Sequence, residues 1–388
     1  MTTATVVHTG VASSEEAGAS LGSRIHQAFG GERPDALILF ASPRYDFSKL
    51  LLAIDMECRP RTLVGTSSAG EFTGQAQGVG LACAMAIRAP EMRFHASLGR
   101  ALSRDPRKAA SEMIATFHGI GNPSFAYRTA LVFADAMAGQ SDRFALHLST
   151  LTGGSYRFVG GGAGDERFED RVVFHGTEVV ADAAVALEIL SNKPIGVGVT
   201  HGWSPRSGAF RVTEAEGLRL ASLNAIAAAD VFEDHAERTG QKMDRQDAFP
   251  FFLHNILGVD TGPGPKKLRV PLRVQDDGAV SCAAEIPEGA TVRIMGCTTA
   301  TAAEAAVQST KEAMRQLEGH KPALAIFFDC VATRLRMGHD FGIELDSIRN
   351  ELGEAKLLGC NTIGQIVSAE GQFSGFHNCT AVTCLIPE

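Results

Sequence analysis

The sequence predicts an α/β protein in which one β-α-β-α-β-β unit is used three times, its mixed sheets covered by helices, in two modules. Three observations predict this. Helix caps, prolines and glycine turns recur in the same order at a spacing of about 100 residues, then once more after a gap. The strands read as nearly continuous apolar runs, which implies burial on both faces. The helical stretches carry one apolar face each, as helices laid on a sheet do.

The first copy opens with the strand ATVVHTG and continues into a helix over Glu16–Phe29, with Ala17, Leu21, Ile25 and Ala28 on one face. Ser13 and Glu16 have capping-box spacing and Gly30 supplies the stop. The second copy opens with MRFHASLG; Asp105 and Pro106 mark an N-cap and first helical position, and Gly119 the stop. The third is expected to open with TVRIMG, with Thr301 and Glu304 as capping pair and Gly319 as stop. In each copy a proline (Pro34, Pro123, Pro322) then precedes an apolar strand: ALILF, TALVF or ALAIFF. Second helices follow around Asp46–Met56, Gln140–Leu151 and Gly342–Leu352. Strands then run into the glycine turns GTSSAGE, GGGAGD and GCNTIGQ, and the closing strands are GLACAMAI, DAAVALEIL and CTAVTCLI.

Residues from about 195 to 290 fall outside this repeat of about 100 residues. They begin with PIGVGVTHGW and AFRVTEAEG, continue through a helix over Ala221–Arg238, and reach the polar stretch RTGQKMDRQD. That stretch is the expected boundary between modules at 1–240 and 241–388. Beyond it, LRVPLRVQ and AVSCAAEI flank Asp276-Asp277-Gly278, a hairpin signal.

Composition narrows the function classes. The chain has 388 residues, a net charge of −8 and a pI of about 5.9, so a phosphate backbone is not an expected partner. Its eight cysteines form no CxxC and mostly sit in apolar runs, where free Cys behaves as a small hydrophobe. The opening MTTATVVHTG lacks a basic segment leading into an apolar one, and no apolar run reaches about 18 residues. A cytoplasmic, reduced protein without membrane insertion is expected.

The glycine turns invite a phosphate-loop reading. Gly65 and Gly70 have Walker spacing, as do Gly359 and Gly364, but Glu71 and Gln365 stand where the phosphate-binding lysine belongs. Glycines required by tight turns and close strand packing are the favoured reading. Ser67 resembles a nucleophile on a turn, yet Ala69 replaces the second glycine of G-x-S-x-G. A Ser67 hydrolase is the third functional reading. Zinc motifs are absent. A single imidazole in an apolar setting suffices for haem. His254, among Phe251, Phe252, Leu253, Ile256 and Leu257, fits that best, and His235 on a helix is second. Arg44, Tyr45 and Asp46, with Asp135 and Asp329, sit at strand ends, where they either line a crevice or cap the next helix.

Taken in order, LVGTSSAGEF, FVGGGAGD, VGVTHGW, VTEAEG, LRVPLRV, IPEGATVRI, LLGCNTIGQI and FHNCTAVTCLI resemble the FIST family, the sensory domain of signal-transduction proteins, over nearly the whole chain. The resemblance implies small-molecule sensing, with amino acids a leading ligand class. It also implies an alternative, because some stand-alone members look like haem b nitric-oxide sensors that regulate histidine kinases. Cys360, Ile363 and Gln365 depart from the aromatics and glutamate usual in the C-terminal turn. Carried over by position, the ligand-facing candidates are Gly65, Ser67, Ser68 and Glu71 in the first turn and Cys360, Asn361 and Gln365 in the last. His201, Trp203 and His377 are expected nearby. The expected protein is a sensor without catalysis that binds a small molecule where modules meet and signals to a partner protein.

Overall fold

The computed structural model describes residues 2–167, 169, 171–262, 264–368 and 374–388. Its first repeat runs β1 (Thr3–Thr9), α1 (Ser14–Ala28), β2 (Ala36–Ala41), α2 (Phe47–Cys58), β3 (Leu63–Ser67), a hairpin of β4 (Glu71–Thr73) and β5 (Gln77–Gly78), and β6 (Ala82–Arg88). The second runs β7 (Arg93–Arg100), α3 (Pro106–Ile114), β8 (Tyr127–Asp135), α4 (Ser141–Leu151), β9 (Arg157–Ala163), a hairpin of β10 (Val172–His175) and β11 (Glu178–Ala181), and β12 (Ala183–Ser191).

The third repeat opens with β13 (Gly196–Thr200), and an inserted module follows at once. It holds β14 (Ser204–Pro205), β15 (Phe210–Glu216), β16 (Arg219–Leu223), β17 (Ile226–Ala227), α5 (Ala228–Thr239) and α6 (Phe249–Phe252). It ends with β18 (Ile256–Val259), β19 (Lys267–Arg269), β20 (Pro271–Val274), β21 (Val280–Cys282) and β22 (Thr291–Gly296). The repeat resumes with α7 (Thr299–Arg315), β23 (Pro322–Cys330), α8 (Val331–Met337), α9 (Phe341–Leu352), β24 (Lys356–Thr362), a hairpin of β25 (Gln365–Ser368) and β26 (Ser374–His377), and β27 (Ala381–Pro387).

The opening of the third repeat corrects the sequence expectation. TVRIMG is β22 and pairs with β18 and β15 inside the inserted module. The true first strand is β13, which lies antiparallel to β27 as β1 lies to β6. Its glycines serve packing, since a Cβ on Gly196 or Gly198 would stand 2.0 or 1.7 Å from carbonyl oxygens of α7. The cap of α7 moves accordingly. Thr298, not Thr301, is the N-cap, and its hydroxyl accepts the Thr301 N–H at 3.1 Å. The helix expected from Ala221 begins only at Ala228, because Leu220 and Leu223 are buried in a strand that pairs with β15. The polar stretch at 238–247 lies within the inserted module, closing α5 and leading toward α6. The other caps stand where the sequence puts them: Ser13 accepts Glu16 N–H, Asp46 accepts Lys49 N–H and Asp105 accepts Lys108 N–H.

Among the described residues each repeat builds a six-stranded sheet, in the orders β1-β6-β2-β3-β10-β11, β7-β12-β8-β9-β25-β26 and β13-β27-β23-β24-β4-β5. Four strands are the repeat's own. The outer two are a hairpin from another repeat. The hairpin of repeat 1 lies on β24, that of repeat 2 on β3, and that of repeat 3 on β9. The three sheets thus exchange hairpins cyclically about a pseudo-threefold axis.

Residues on β2 alternate between two cores. Ala36, Ile38 and Phe40 face the axis with residues of all three repeats, while Leu37, Leu39 and Ala41 pack with α1 and α2. This double burial is why the strands read as continuous apolar runs. On the axis the equivalent rings of Phe40, Phe133 and Phe328 meet at centroid separations of 5.4, 5.9 and 6.0 Å. Burying each contributes about 1.5–3 kcal/mol. Among the described residues no helix is long and apolar enough to cross a membrane.

Candidate functional site

The glycine turns sit at the carboxyl ends of the central strands, the usual crevice of open α/β sheets. Their first glycines are packing residues. A Cβ on Gly65, Gly160 or Gly359 would lie 2.0, 1.9 or 2.5 Å from the carbonyl oxygen of Leu39, Val132 or Phe327. Backbone bonds stitch the turns to one another. Ala69 N–H donates to Asn361 O at 3.1 Å and Asn361 N–H to Gly70 O at 2.8 Å. Gly164 N–H donates to Ser67 O at 3.2 Å, and Ile363 N–H to Gly162 O at 3.0 Å.

The junction of repeats 1 and 3 brings Ser68, Glu71 and Asn361 together. Glu71 opens the exchanged hairpin and lies opposite Cys360. Its carboxyl accepts the Ser68 hydroxyl at 2.6 Å and the Leu81 N–H at 3.0 Å. It is 1% exposed, and burial pushes its pKa up to about 8. Asn361 is equally buried, and neither Oδ1 nor Nδ2 has a hydrogen-bond partner among the described residues. Arg334, from α8, reaches across. Its Nη2 donates to Ala69 O at 2.9 Å and pairs with Glu166, while its Nε is unpartnered among the described residues. Gly70 lets these groups approach its backbone closely, since a Cβ there would lie 2.7 Å from Asn361 Oδ1 and 3.1 Å from Arg334 Nε.

Glu71, Gln77, Arg334, His339 and Asn361 line a crevice of about 200 Å³. Ser42, Arg44, Ser68, Ala69 and Glu166 line a neighbouring one of about 360 Å³. Arg334 and Glu166 were missed by sequence reasoning. Helix α8 interrupts the expected strand-to-helix connection, and nothing local marks an arginine whose partners come from other repeats.

The other candidates lie apart. Gly65 and Cys360 are interior, the latter in the axial core. Ser67 is fully buried and lines neither crevice; its Oγ accepts the Val172 N–H of β10 at 3.1 Å. Gln365 is satisfied, donating to Thr362 Oγ1 at 2.9 Å and accepting the Thr380 N–H at 3.2 Å. His377, on the neighbouring strand, is driven down to about 3 by burial and then by Lys267 and Arg269. His201 and Trp203 stand beside the third repeat. There His201 Nε2 lies 3.1 Å from Lys266 O, and Arg336 stacks 5.5 Å over the Trp203 ring. Of the strand-end residues, Asp46 caps α2, Asp135 pairs with Arg171 at 3.0 Å, and Arg44 lines the larger crevice. Asp329 and Glu344 are buried together, and burial raises both carboxyls, followed by repulsion from Cys330 at Asp329 and from Asp329 at Glu344.

The haem expectation does not fit these residues. His254 is exposed in the turn after α6, while Phe251, Phe252, Ile256 and Leu257 are buried in the cores instead of walling it. His235 is buried, with Nε2 3.2 Å from Asn255 Oδ1. Neither histidine lines either crevice. Among the described residues no cluster of three or more His, Cys, Asp or Glu is arranged to hold a metal ion.

The FIST N domain matches residues 35–226 and the FIST C domain residues 228–368. No curated protein matches. Among solved structures, the chain is similar to the crystal structure of cyanuric acid hydrolase from A. caulinodans at 9% identity, covering 100% of this chain and 99% of that one. The TM-score of 0.33 is too low for that likeness to bear on function. The two domain matches run almost without a break from residue 35 to 368, and the chain belongs to the FIST family, whose domains sense small ligands in signal transduction.

Proposed function

We propose that this protein is a cytoplasmic, non-catalytic sensor whose small polar ligand, an amino acid in the first instance, occupies the crevice between repeats 1 and 3. One observation carries the reading: the Asn361 amide is buried at the crevice wall with neither atom hydrogen-bonded among the described residues. An unsatisfied buried polar group costs about 1–3 kcal/mol, so a fold keeps one where something else completes it. The donors fit the ligand class. Asn361 Nδ2 and Arg334 Nε offer N–H groups to a carboxylate, and Asn361 Oδ1 accepts from an ammonium. Eight free thiols suit a reducing compartment.

The crevice also suits signalling. Its walls belong to different repeats, held together by the exchanged β4–β5 hairpin and the reach of α8. A ligand that bridges them favours one arrangement over another, and a partner protein reads the shift. A thermal-shift screen of the amino acids at millimolar concentration tests this. At least one should raise Tm, since a ligand at about 100 times its Kd stabilises by ~2.7 kcal/mol. Replacing Asn361 with Leu should abolish that rise. A ligand whose stabilisation survives N361L binds elsewhere, and the crevice reading fails.

A further inference from the structure

We infer that the ligand carries a carboxylate, and that Glu166 occupies that carboxylate's place at Arg334 until the ligand arrives. This rests on the crevice reading above, whose carboxylate it keeps, and adds a resident competitor. The Arg334 side chain is 17% exposed, so its guanidinium needs an anion close by. Glu71 is near but does not serve. Both its oxygens are engaged by Ser68 and Leu81, and burial favours its neutral form. Among the described residues the ion-pair partner is Glu166, which comes from the connection between β9 and β10 in another repeat.

The pair is unequal. Glu166 is 38% exposed, roughly twice as open as the arginine, and it borders the larger crevice while Arg334 borders the smaller. Glu166 can therefore leave for solvent at low cost, whereas Arg334 cannot. The open carboxylate end makes the pair a weak hold for an arriving anion to overcome. An incoming carboxylate conserves the charge balance around Arg334. It also gains the unpartnered Arg334 Nε–H and Asn361 Nδ2–H, which the Glu166 carboxylate leaves unused. A neutral ligand offers no such exchange, because removing Glu166 without replacing it strands the guanidinium.

The test is calorimetric titration of the full chain with propionate and L-alanine, each set against its neutral primary amide, propionamide or L-alaninamide. Wild type, Glu166→Gln and Arg334→Gln are compared, with Asn361→Leu as the control on the crevice. E166Q should bind both carboxylates about tenfold more tightly, the equivalent of ~1.4 kcal/mol, leave the amides unchanged, and R334Q should lose the carboxylates. The inference is overturned if E166Q binds the carboxylates no more tightly than wild type, if the amides gain as much as the acids, or if neither carboxylate binds E166Q at high-millimolar concentration. The crevice reading fails separately, by binding that persists in N361L.

Discussion

The junction between repeats 1 and 3 and the junction between repeats 3 and 2 are made of the same parts and finished differently. In each, a glycine turn ends and the chain crosses onto a neighbour's third strand, placing Glu71 opposite Cys360 and Gln365 opposite Gly161. Those two strand positions are equivalent, since Cys360 pairs with Phe328 and Gly161 with Phe133, both rings of the axial trio. At the second junction the amide of Gln365 is neutral and satisfied on both atoms. At the first the crossing residue is a buried acid, next to an amide and a guanidinium nitrogen with no partner among the described residues. Equal frames with unequal chemistry teach that the hairpin exchange is scaffold, and the departure from symmetry is what supports the proposed site.

Making the closed junction resemble the open one should have the largest effect. Gln365→Glu buries a carboxylate where Thr380 N–H and Thr362 are its neighbours, and should cost about 3 kcal/mol or more at neutral pH. Urea unfolding should show that cost shrinking toward pH 4 as the new carboxyl takes up a proton. The reverse change, Glu71→Gln, tests the acid at the open junction. The folded pKa of Glu71, about 8, lies above its unfolded value, so the folded state binds more protons between the two. Its favourable contribution is present below the unfolded value and is lost as pH rises through about 8. E71Q should thus gain on wild type by roughly 2–4 kcal/mol between pH 5 and pH 9. Parallel stability curves would show that Glu71 is ionised throughout. A smaller contrast separates adjacent residues. Thr362→Val breaks a satisfied bond to Gln365 and should cost about 1 kcal/mol, whereas Asn361→Leu removes an unpaired amide and should leave the free protein within about 1 kcal/mol of wild type or above it.

The repeat was legible because each strand of a doubly covered sheet must be apolar throughout and each helix must be capped. Ser13, Asp46 and Asp105 announce their helices. The first strand of the third repeat was not legible. In β13 the residues against α7 are Gly196 and Gly198, so the strand lacks the bulky run seen elsewhere, and the inserted module ends with a more conventional strand directly before the helix. The hairpin exchange was equally hidden, because pairing between repeats leaves no trace in local spacing. For the same reason the family resemblance named Glu71, Ser68 and Asn361 as candidates but grouped them with Gln365 and Cys360, which packing commits elsewhere. Arg334 and Glu166 become partners only when three repeats close around the axis.

On the proposed reading the ligand binds at the open junction. Titration of wild type and Asn361→Leu with whichever amino acid stabilises the wild-type protein tests it most directly. Saturable heat is expected for wild type and none for N361L, whose own stability stays within about 1 kcal/mol of wild type or above it. Equal affinity in the two proteins would contradict it.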